Sequence, residues 1–284
     1  MIVSIVCACR PKQYIKQGLL FIAPVTAGSL NHWGNVLTLL LSFISFSLIA
    51  SCGYFVNDWN DRDLDSTHPI KSKRAIASGL LNGRQVSFTI VLLLAVSFLI
   101  SSFLPRSHTV ILLAYLITTV SYTLFLKMVP VIEMLVVSVG FLLRPLAGAA
   151  AISIPVSKWF LIVTSFSSLF LVASKRLSEL RKVGSQPVRE VIQQYSGDFL
   201  NSVITLSIAI TMTAYSLWAF SFQPRSLLVE ISIAFVLTGM LRYLWVRDKG
   251  NGEAPEQLLF EDRVLPLSGI AAFFCIVFAV YVQH

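Results

Sequence analysis

The stretch NDWNDRDLD, residues 57–65, decides how the rest of the sequence is interpreted. It places four aspartates directly after an apolar run that is long enough to cross most of a bilayer. On a helix, Asp58, Asp61 and Asp65 are spaced i, i+3 and i+7 and fall within an arc of roughly 60°, while Asp63 points to the other side. Three like charges on one helix face repel each other, so the pattern predicts a bound cation.

The chemistry of the next segment indicates which cation this is. Mg²⁺ usually takes one or two carboxylates and completes its octahedral shell with water and phosphate oxygens. Lys71, Lys73 and Arg74 follow within a few residues and suit phosphate, with Arg74 the better bidentate donor. We therefore predict that the three aspartates of one face are catalytic metal ligands for Mg²⁺ carrying a diphosphate, assisted by Asn57. The alternative is a solvated acidic loop that is balanced by its own lysines.

Composition places the chain in a membrane. Of 284 residues, 56% are hydrophobic and only 13% are charged, and the mean hydropathy is +0.77. These values exclude an ordinary soluble domain of this size. The net charge of +8 is attributed to membrane topology, because no basic stretch is interleaved with aromatic residues as a nucleic-acid surface would be. The lipid bilayer is the expected partner, and nucleic acid is not.

The apolar runs predict the fold class. They lie at about 17–33, 36–56, 86–104, 108–126, 130–150, 158–174, 199–221, 226–246 and 264–282. Nothing between them is long enough to form a soluble domain. The expected fold is all-α: a polytopic membrane helical bundle of about nine transmembrane helices, forming a single transmembrane domain over 1–284.

Lys and Arg are concentrated in the N-terminal segment and in alternate connections, which predicts that these lie in the cytoplasm. The long cytoplasmic loops are then at about 57–85, 174–198 and 247–263, and they hold nearly all the acidic residues. Because loops positioned by a rigid scaffold often carry function, the active face is expected to be cytoplasmic. The predicted location is the inner, or plasma, membrane, crossed several times.

A second polar cluster, SKRLSELRK, follows the sixth apolar run at 174–182. Lys175 and Glu179 are four residues apart and share a helix face. This spacing suits an exposed, salt-bridged turn. It also suits a binding site in which Lys175 and Arg176 hold a phosphate while Glu179 orients a sugar hydroxyl or a second metal. Spacing alone leaves both interpretations open.

Arg144 lies inside the fifth apolar run, where a charge is costly and faces the bundle interior or a wet cavity. Glu133 is eleven residues earlier on the same helix, too far away to pair with it. Arg144 is therefore either paired with another polar side chain or a ligand for an anion, and we favour the second. Pro145 beside it predicts a kink.

The motif NDWNDRDLD resembles NDxxDxxxD, the first Asp-rich motif of the UbiA superfamily of intramembrane prenyltransferases. Members usually have a second Asp-rich loop after the sixth span, where this chain has SKRLSEL. The departure points to one branch, because several segments are similar to decaprenyl-phosphate phosphoribosyltransferases. These segments are RPKQYIKQ, SIPVSKWF, SKRLSEL, YSLWAF and LRYLWVRDKGNGEAPEQLLFEDRVL. Leu177 stands where that branch would have a tyrosine, which puts the fit of the sugar in question.

The resemblance implies an activity and its partners. It implies a Mg²⁺-dependent transferase that moves 5-phosphoribosyl from phosphoribosyl diphosphate to a polyprenyl phosphate of the decaprenyl type. The lipid phosphate is negatively charged, so its binding site requires cations rather than a second set of aspartates. Lys16, within RPKQYIKQ, is a further candidate substrate-binding residue. The sequence does not give the lipid's length, the pathway that uses the product or the oligomeric state, and a homo-oligomer is left open.

Two other functions are considered. The first is transfer of a polyprenyl group from its diphosphate to an aromatic acceptor, as in quinone biosynthesis. The second is a transporter for an anion, gated by Arg144. A transporter should show two related halves with paired broken helices, and no such repeat is seen in the sequence.

Overall fold

The computed structural model describes residues 2–67, 71–181, 190–222, 225–251 and 262–282. Every regular element in these residues is helical, which confirms the all-α prediction. Eight of the described helices are long and apolar enough to cross a membrane, and the chain is a multi-pass membrane protein. Parts of the three predicted loops, at 68–70, 182–189 and 252–261, lie outside the described residues.

The described residues contain twelve α-helices and several shorter helical segments. The α-helices are α1 (Ile2–Cys9), α2 (Ile22–Thr26), α3 (Trp33–Asn60), α4 (Arg62–Ser66), α5 (Gly83–Ser101), α6 (Arg106–Leu124), α7 (Ile132–Ala151), α8 (Lys158–Leu180), α9 (Glu190–Gln193), α10 (Gly197–Ser221), α11 (Leu227–Val246) and α12 (Val264–Tyr281). The 3₁₀ segments are Pro11–Phe21, Ser29–Asn31, Lys71–Lys73 and Leu126–Met128, and a π-helical turn covers Arg247–Asn251.

The first predicted span, 17–33, is not one long helix. It is divided between the 3₁₀ segment Pro11–Phe21, helix α2 and the 3₁₀ segment Ser29–Asn31. Gly28 follows α2 with φ +67, and its N–H donates to the carbonyl of Val25 at 3.1 Å. A left-handed glycine at this position ends a helix, which explains why the apolar run does not continue as one.

The long helices are apolar on their outer faces as well as their inner ones. Phe88 is 70% exposed, Val91 64% and Phe274 63%. In water such surfaces would drive aggregation, whereas in a bilayer they face hydrocarbon. This exposure agrees with a membrane location for α5 and α12.

The chain divides into two compact units. Unit 1 comprises Met1–Pro24, Ser29–Lys127 and Leu143–Pro155, and unit 2 comprises Val25–Gly28, Met128–Leu142 and Val156–His284. Helix α7 contributes to both, because the boundary falls after Leu142. The single domain over 1–284 stays a prediction, and each unit is described below by itself.

Unit 1 is built around α3, which packs against α1, α5 and α6. Phe46 and Leu112 are fully buried in its core. His108 is also fully buried, and its two ring nitrogens each lie 2.9 Å from a hydroxyl, Nε2 from Ser42 and Nδ1 from Ser101. A buried histidine with both nitrogens hydrogen-bonded is a structural feature of the core.

Gly148 lies where helix α7 meets the 3₁₀ segment Pro11–Phe21. A Cβ at this position would lie 1.8 Å from the carbonyl oxygen of Leu20. We expect Gly148→Ala to lower the free energy of unfolding by about 1–3 kcal/mol, because the backbones must separate to admit a methyl group. Thermal unfolding in detergent measures the loss. The control is Gly269→Ala in α12, where a Cβ meets no atom within 4 Å; equal melting temperatures for the two variants would contradict the close approach.

In unit 2, α8 packs against α10, and α11 packs against α12. The core between them contains Phe170, Leu177, Leu200 and Tyr243. Leu177 is 3% exposed, so at the position where a tyrosine was expected this chain has an apolar core residue. Ser157 and Ser196 begin α8 and α10 by accepting hydrogen bonds from backbone N–H groups three residues on.

Candidate active site

The acidic stretch lies at a corner between two helices. Helix α3 ends at Asn60, Asp61 adopts φ −97 and ψ 5, and α4 begins at the next residue. The predicted single helix is therefore interrupted at Asp61. Asp58 and Asp65 are nonetheless each only 4% exposed, whereas the side chain of Asp63 is 89% exposed. The prediction that Asp63 lies off the face is confirmed.

Arg74 joins the two buried carboxylates. Its Nη1 lies 2.6 Å from Oδ2 of Asp65 and 3.2 Å from Oδ1 of Asp58. Two further cations approach the same carboxylates: Nη2 of Arg10 is 2.5 Å from Asp58, and Nζ of Lys71 is 3.8 Å from Asp65. Lys71 and Arg74 thus lie beside the aspartates, and their predicted binding of phosphate stays a prediction.

Asp61 has its own cation, Lys127, from the 3₁₀ segment that follows α6. The two side chains form an ion pair and are 17% and 14% exposed. Asn60 also donates to Asp61, at 3.1 Å. The third carboxylate is therefore in unit 1 as well, but it is held by a different partner from the other two.

The carboxylates and cations of this cluster do not balance. Among the residues that the structure describes, three carboxylates meet four cations, which are Arg10, Lys71, Arg74 and Lys127. The excess of positive charge, at the end of an apolar helix, suits a phosphate-bearing ligand. A carboxylate cluster alone would not attract one.

The residues fit a divalent ion in part. Within the described residues, no three His, Cys, Asp or Glu side chains form a ready metal cluster. Asp58 and Asp65, however, both contact one nitrogen of Arg74, so a single cation can reach oxygens of both. Two carboxylates with phosphate and water as remaining ligands are the set that Mg²⁺ usually has in proteins.

The other predicted residues of unit 1 lie at different depths. Asn57 and Lys16 are half-buried, and Lys73 is exposed and makes no ion pair within the described part of the chain. Their roles in substrate binding stay predictions.

Arg144 is buried in unit 1 and is 6% exposed. Its Nε donates to Oε1 of Gln17 and its Nη2 donates to the hydroxyl of Tyr115, both at 2.9 Å. The guanidinium also lies over the Tyr115 ring, 5.0 Å from its centroid. Of the two interpretations of Arg144, pairing with polar side chains is the one seen in the described contacts; its role as an anion ligand stays a prediction.

Unit 2 contains a separate ionic cluster around Arg176. Its Nε and Nη2 make a bidentate pair with Glu133, at 2.7 and 2.6 Å, and Glu133 is fully buried. Its Nη1 lies 2.7 Å from Glu179, which is also 4.0 Å from Lys175. Arg176 is thus held by two carboxylates, while the Lys175 side chain is 45% exposed. The salt bridge between Lys175 and Glu179, one of the two predicted alternatives, is present, and through Arg176 it connects to the buried Glu133.

Tyr195 completes this cluster from the segment before α10. Its hydroxyl accepts a hydrogen bond from the N–H of Val131 at 2.7 Å and donates to Glu133 at 3.5 Å. Burial raises the pKa of the Tyr195 phenol, so it stays protonated and able to donate. Val131 has φ +67, a left-handed conformation that a β-branched residue rarely adopts, and the bond to Tyr195 helps to hold it.

Several residues of these clusters were not predicted. Nothing in the sequence distinguishes Arg10 or Lys127 from the other positive charges next to the apolar runs, and Glu133 was considered only as a residue too far from Arg144. The sequence gives no period that links them to their partners, because they are 48, 66 and 43 residues away from Asp58, Asp61 and Arg176. The sequence signal for these residues was that each is a charged residue next to or within an apolar span, which implies a partner elsewhere in the chain.

The sequence matches the UbiA prenyltransferase family over residues 19–261. The chain belongs to this family. Among UbiA-related proteins of known fold, a homolog from Archaeoglobus fulgidus bound to GPP and Mg²⁺ superimposes with a TM-score of 0.72, at 17% identity, covering 98% of this chain and 99% of that one. The likeness confirms the UbiA-like fold.

Two phosphoribosyltransferases are similar in sequence to this chain over nearly its full length. The chain is 33% identical over 288 residues to the decaprenyl-phosphate phosphoribosyltransferase of Corynebacterium glutamicum, covering 97% of this chain and 86% of that protein. It is 35% identical over 280 residues to the protein of the same name in Mycobacterium tuberculosis, covering 95% and 92%. The relatives therefore include members of the branch that SKRLSEL suggested, the decaprenyl-phosphate phosphoribosyltransferases.

Proposed function

We propose that this UbiA-family protein transfers a 5-phosphoribosyl group from phosphoribosyl diphosphate to a polyprenyl phosphate. The products are 5-phosphoribosyl-1-phosphoryl-polyprenol and diphosphate. The observation that carries the proposal is the 33–35% identity, over nearly the whole chain, to decaprenyl-phosphate phosphoribosyltransferases. The excess of cations around the carboxylates of unit 1 supports it, because both substrates are phosphate anions.

Asp58 and Asp65, with Asp61, are the residues that would hold Mg²⁺. Support comes from their oxygen chemistry and from the shared contact of Asp58 and Asp65 with Arg74. When bound, Mg²⁺ neutralises negative charge on the diphosphate leaving group. A UbiA homolog from Archaeoglobus fulgidus has been solved with this ion.

The cations of unit 1 act on the diphosphate donor. Arg74, Lys71, Arg10 and Lys127 donate to phosphate oxygens once a ligand draws them from the carboxylates. Charge develops on the diphosphate as the bond between C1 of the ribose and oxygen breaks, and nearby fixed cations stabilise that charge most in the transition state. Diphosphate leaves with the electron pair of the broken bond.

The acceptor needs less help from the protein. An oxygen of the lipid phosphate is already anionic, so it forms the new bond to C1 without a general base and no proton is transferred. In unit 2 we assign Lys175 to the lipid phosphate and Glu179 to a ribose hydroxyl. Arg176 holds Glu179 in place from its bidentate anchor on Glu133. The reaction is proposed to occur at the cytoplasmic face of the inner membrane.

Metal removal and labelled donor test the proposal together. Purified protein is incubated with labelled phosphoribosyl diphosphate, decaprenyl phosphate and Mg²⁺, and label entering the lipid fraction is counted. We expect EDTA to stop incorporation, because without the metal the charge of the leaving diphosphate is not neutralised. Added Mg²⁺ should restore incorporation. Full incorporation in EDTA would remove the metal from the proposal while leaving the transfer itself in place.

A second candidate is prenyl transfer to an aromatic acceptor. It is favoured by the family match and by the likeness to homologs bound to prenyl diphosphates. Replacing the substrates by decaprenyl diphosphate and 4-hydroxybenzoate distinguishes the two. Prenylated 4-hydroxybenzoate, with no label from phosphoribosyl diphosphate in the lipid, would reverse the assignment.

A further inference from the structure

A cleft of about 420 Å³ lies in unit 1, between the end of α3 and the start of α5. Its lining includes Trp59 from α3, Arg62, Asp63 and Ser66 from α4, and Gly83 from α5. Both α3 and α5 are candidate membrane spans, so their adjoining ends mark the boundary between hydrocarbon and water. Trp59 is 37% exposed at this boundary, where tryptophan is enriched in membrane proteins.

The cleft is separate from the carboxylate cluster because α4 has two different sides. Asp65 is buried against Arg74 on one side. Arg62, Asp63 and Ser66 line the cleft on the other. The transfer reaction proposed above uses no residue of this second side.

The cleft presents one positive and one negative group side by side, Arg62 and Asp63. The guanidinium of Arg62 lies over the Trp59 ring, 4.6 Å from its centroid, and its Nε donates to Oδ1 of Asp63 at 3.1 Å. The two Nη groups of Arg62 make no hydrogen bond within the described part of the chain, and the Asp63 carboxylate is 89% exposed. Donors for a phosphate and an acceptor for an ammonium are therefore available side by side.

Two exposed leucines are next in sequence to residues that line the cleft. Leu64 on α4 is 77% exposed, and Leu80 in the turn before α5 is 64% exposed. Large exposed leucines adjacent in sequence to the cleft, in segments near the membrane boundary, suit acyl chains rather than water. A ligand for this place has a small zwitterionic part and an apolar part.

We propose that this cleft binds the head group of an aminophospholipid, a lipid in which a phosphate is followed by a primary ammonium. Arg62 donates to the phosphate, Asp63 accepts from the ammonium, and the leucines contact the acyl chains. A purely anionic head group would place its charge beside Asp63. A choline head group carries the positive charge but has no N–H to donate.

The test measures lipid binding to the full chain in detergent. Wild type, Arg62→Gln, Asp63→Asn and Arg106→Gln are titrated with dioleoyl phosphatidylethanolamine, phosphatidylglycerol or phosphatidylcholine. Retained lipid is counted by native mass spectrometry, and the melting temperature is recorded with and without lipid. Arg106 is a matched control, an exposed arginine at the start of α6 and outside the cleft.

We expect wild type to retain the ethanolamine lipid best. Asp63→Asn should remove this preference, and Arg62→Gln should weaken retention of all three lipids by about threefold, the size of effect that an exposed charge pair supplies. Arg106→Gln should behave as wild type. Equal retention of the ethanolamine and glycerol lipids by wild type, or unchanged retention by both cleft variants, would overturn the proposal. Equal melting temperatures without lipid show that all variants are folded.

Discussion

Asp58→Asn and Asp65→Asn are each expected to lower phosphoribosyl transfer by on the order of 10²-fold or more, the scale of losing a group that stabilises transition-state charge. Each substitution removes a carboxylate that would hold the metal, and it also leaves Arg74 with one negatively charged partner instead of two. Asp61→Asn should have a similar effect. Turnover of labelled phosphoribosyl diphosphate into lipid measures the loss, and the melting temperature of each variant separates it from unfolding.

Asp63→Asn is the matched control, since it makes the same chemical change on the exposed side of α4. It should keep most of the wild-type turnover. The comparison is made in detergent without phospholipid, so that the cleft around Asp63 does not contribute. If all four substitutions reduced turnover alike, the assignment of the buried carboxylates would be wrong.

Glu133→Gln is expected to lower the free energy of unfolding by about 3–5 kcal/mol, the usual result of breaking a buried ion pair. Glu133 is fully buried and makes a bidentate pair with Arg176, so the substitution leaves the buried guanidinium with only the partly exposed Glu179 as a counter-charge. Thermal unfolding in detergent measures the effect. Glu179→Gln is the control, because the Glu179 side chain is 31% exposed; it should cost about 1 kcal/mol or less.

The double variant Glu133→Leu with Arg176→Met tests the same pair from the other direction. Removing both charges leaves no buried charge unpaired, since Glu179 is 31% exposed and still lies 4.0 Å from Lys175, so most of the stability should return. A double variant as unstable as Glu133→Gln would contradict this account. Its activity is also informative: a stable but inactive double variant indicates that the pair of Glu133 and Arg176, which holds Glu179 in place, is needed for the reaction.

The sequence was sufficient for those parts of the fold that depend on local pattern. Long apolar runs predicted about nine spans, and eight of these are helices long and apolar enough to cross a membrane, because length and hydropathy are properties of the segment itself. The apolar run at 17–33 is not a single helix as predicted. Gly28 has a left-handed conformation there, and hydropathy carries no information about backbone conformation. The break at Asp61 was missed for a related reason, since ideal helical spacing assumes that the helix continues.

The candidate site was predicted only in part, because its pairs join distant segments. The i, i+3, i+7 spacing correctly separated Asp63 from Asp58 and Asp65. It could not indicate that Arg10 reaches Asp58 or that Lys127 reaches Asp61, since tertiary packing sets those contacts. Arg176 was predicted to face a phosphate, whereas its nearest partners are Glu133 and Glu179.

The cations that already contact Asp58, Asp61 and Asp65 have a consequence for biogenesis. Acidic groups left together without counter-charge would repel and keep the corner between α3 and α4 open while the chain is being inserted. Here arginine and lysine from the same chain supply that counter-charge. Newly synthesised protein can therefore complete this part of its fold in the bilayer before it encounters either a metal ion or its first sugar donor.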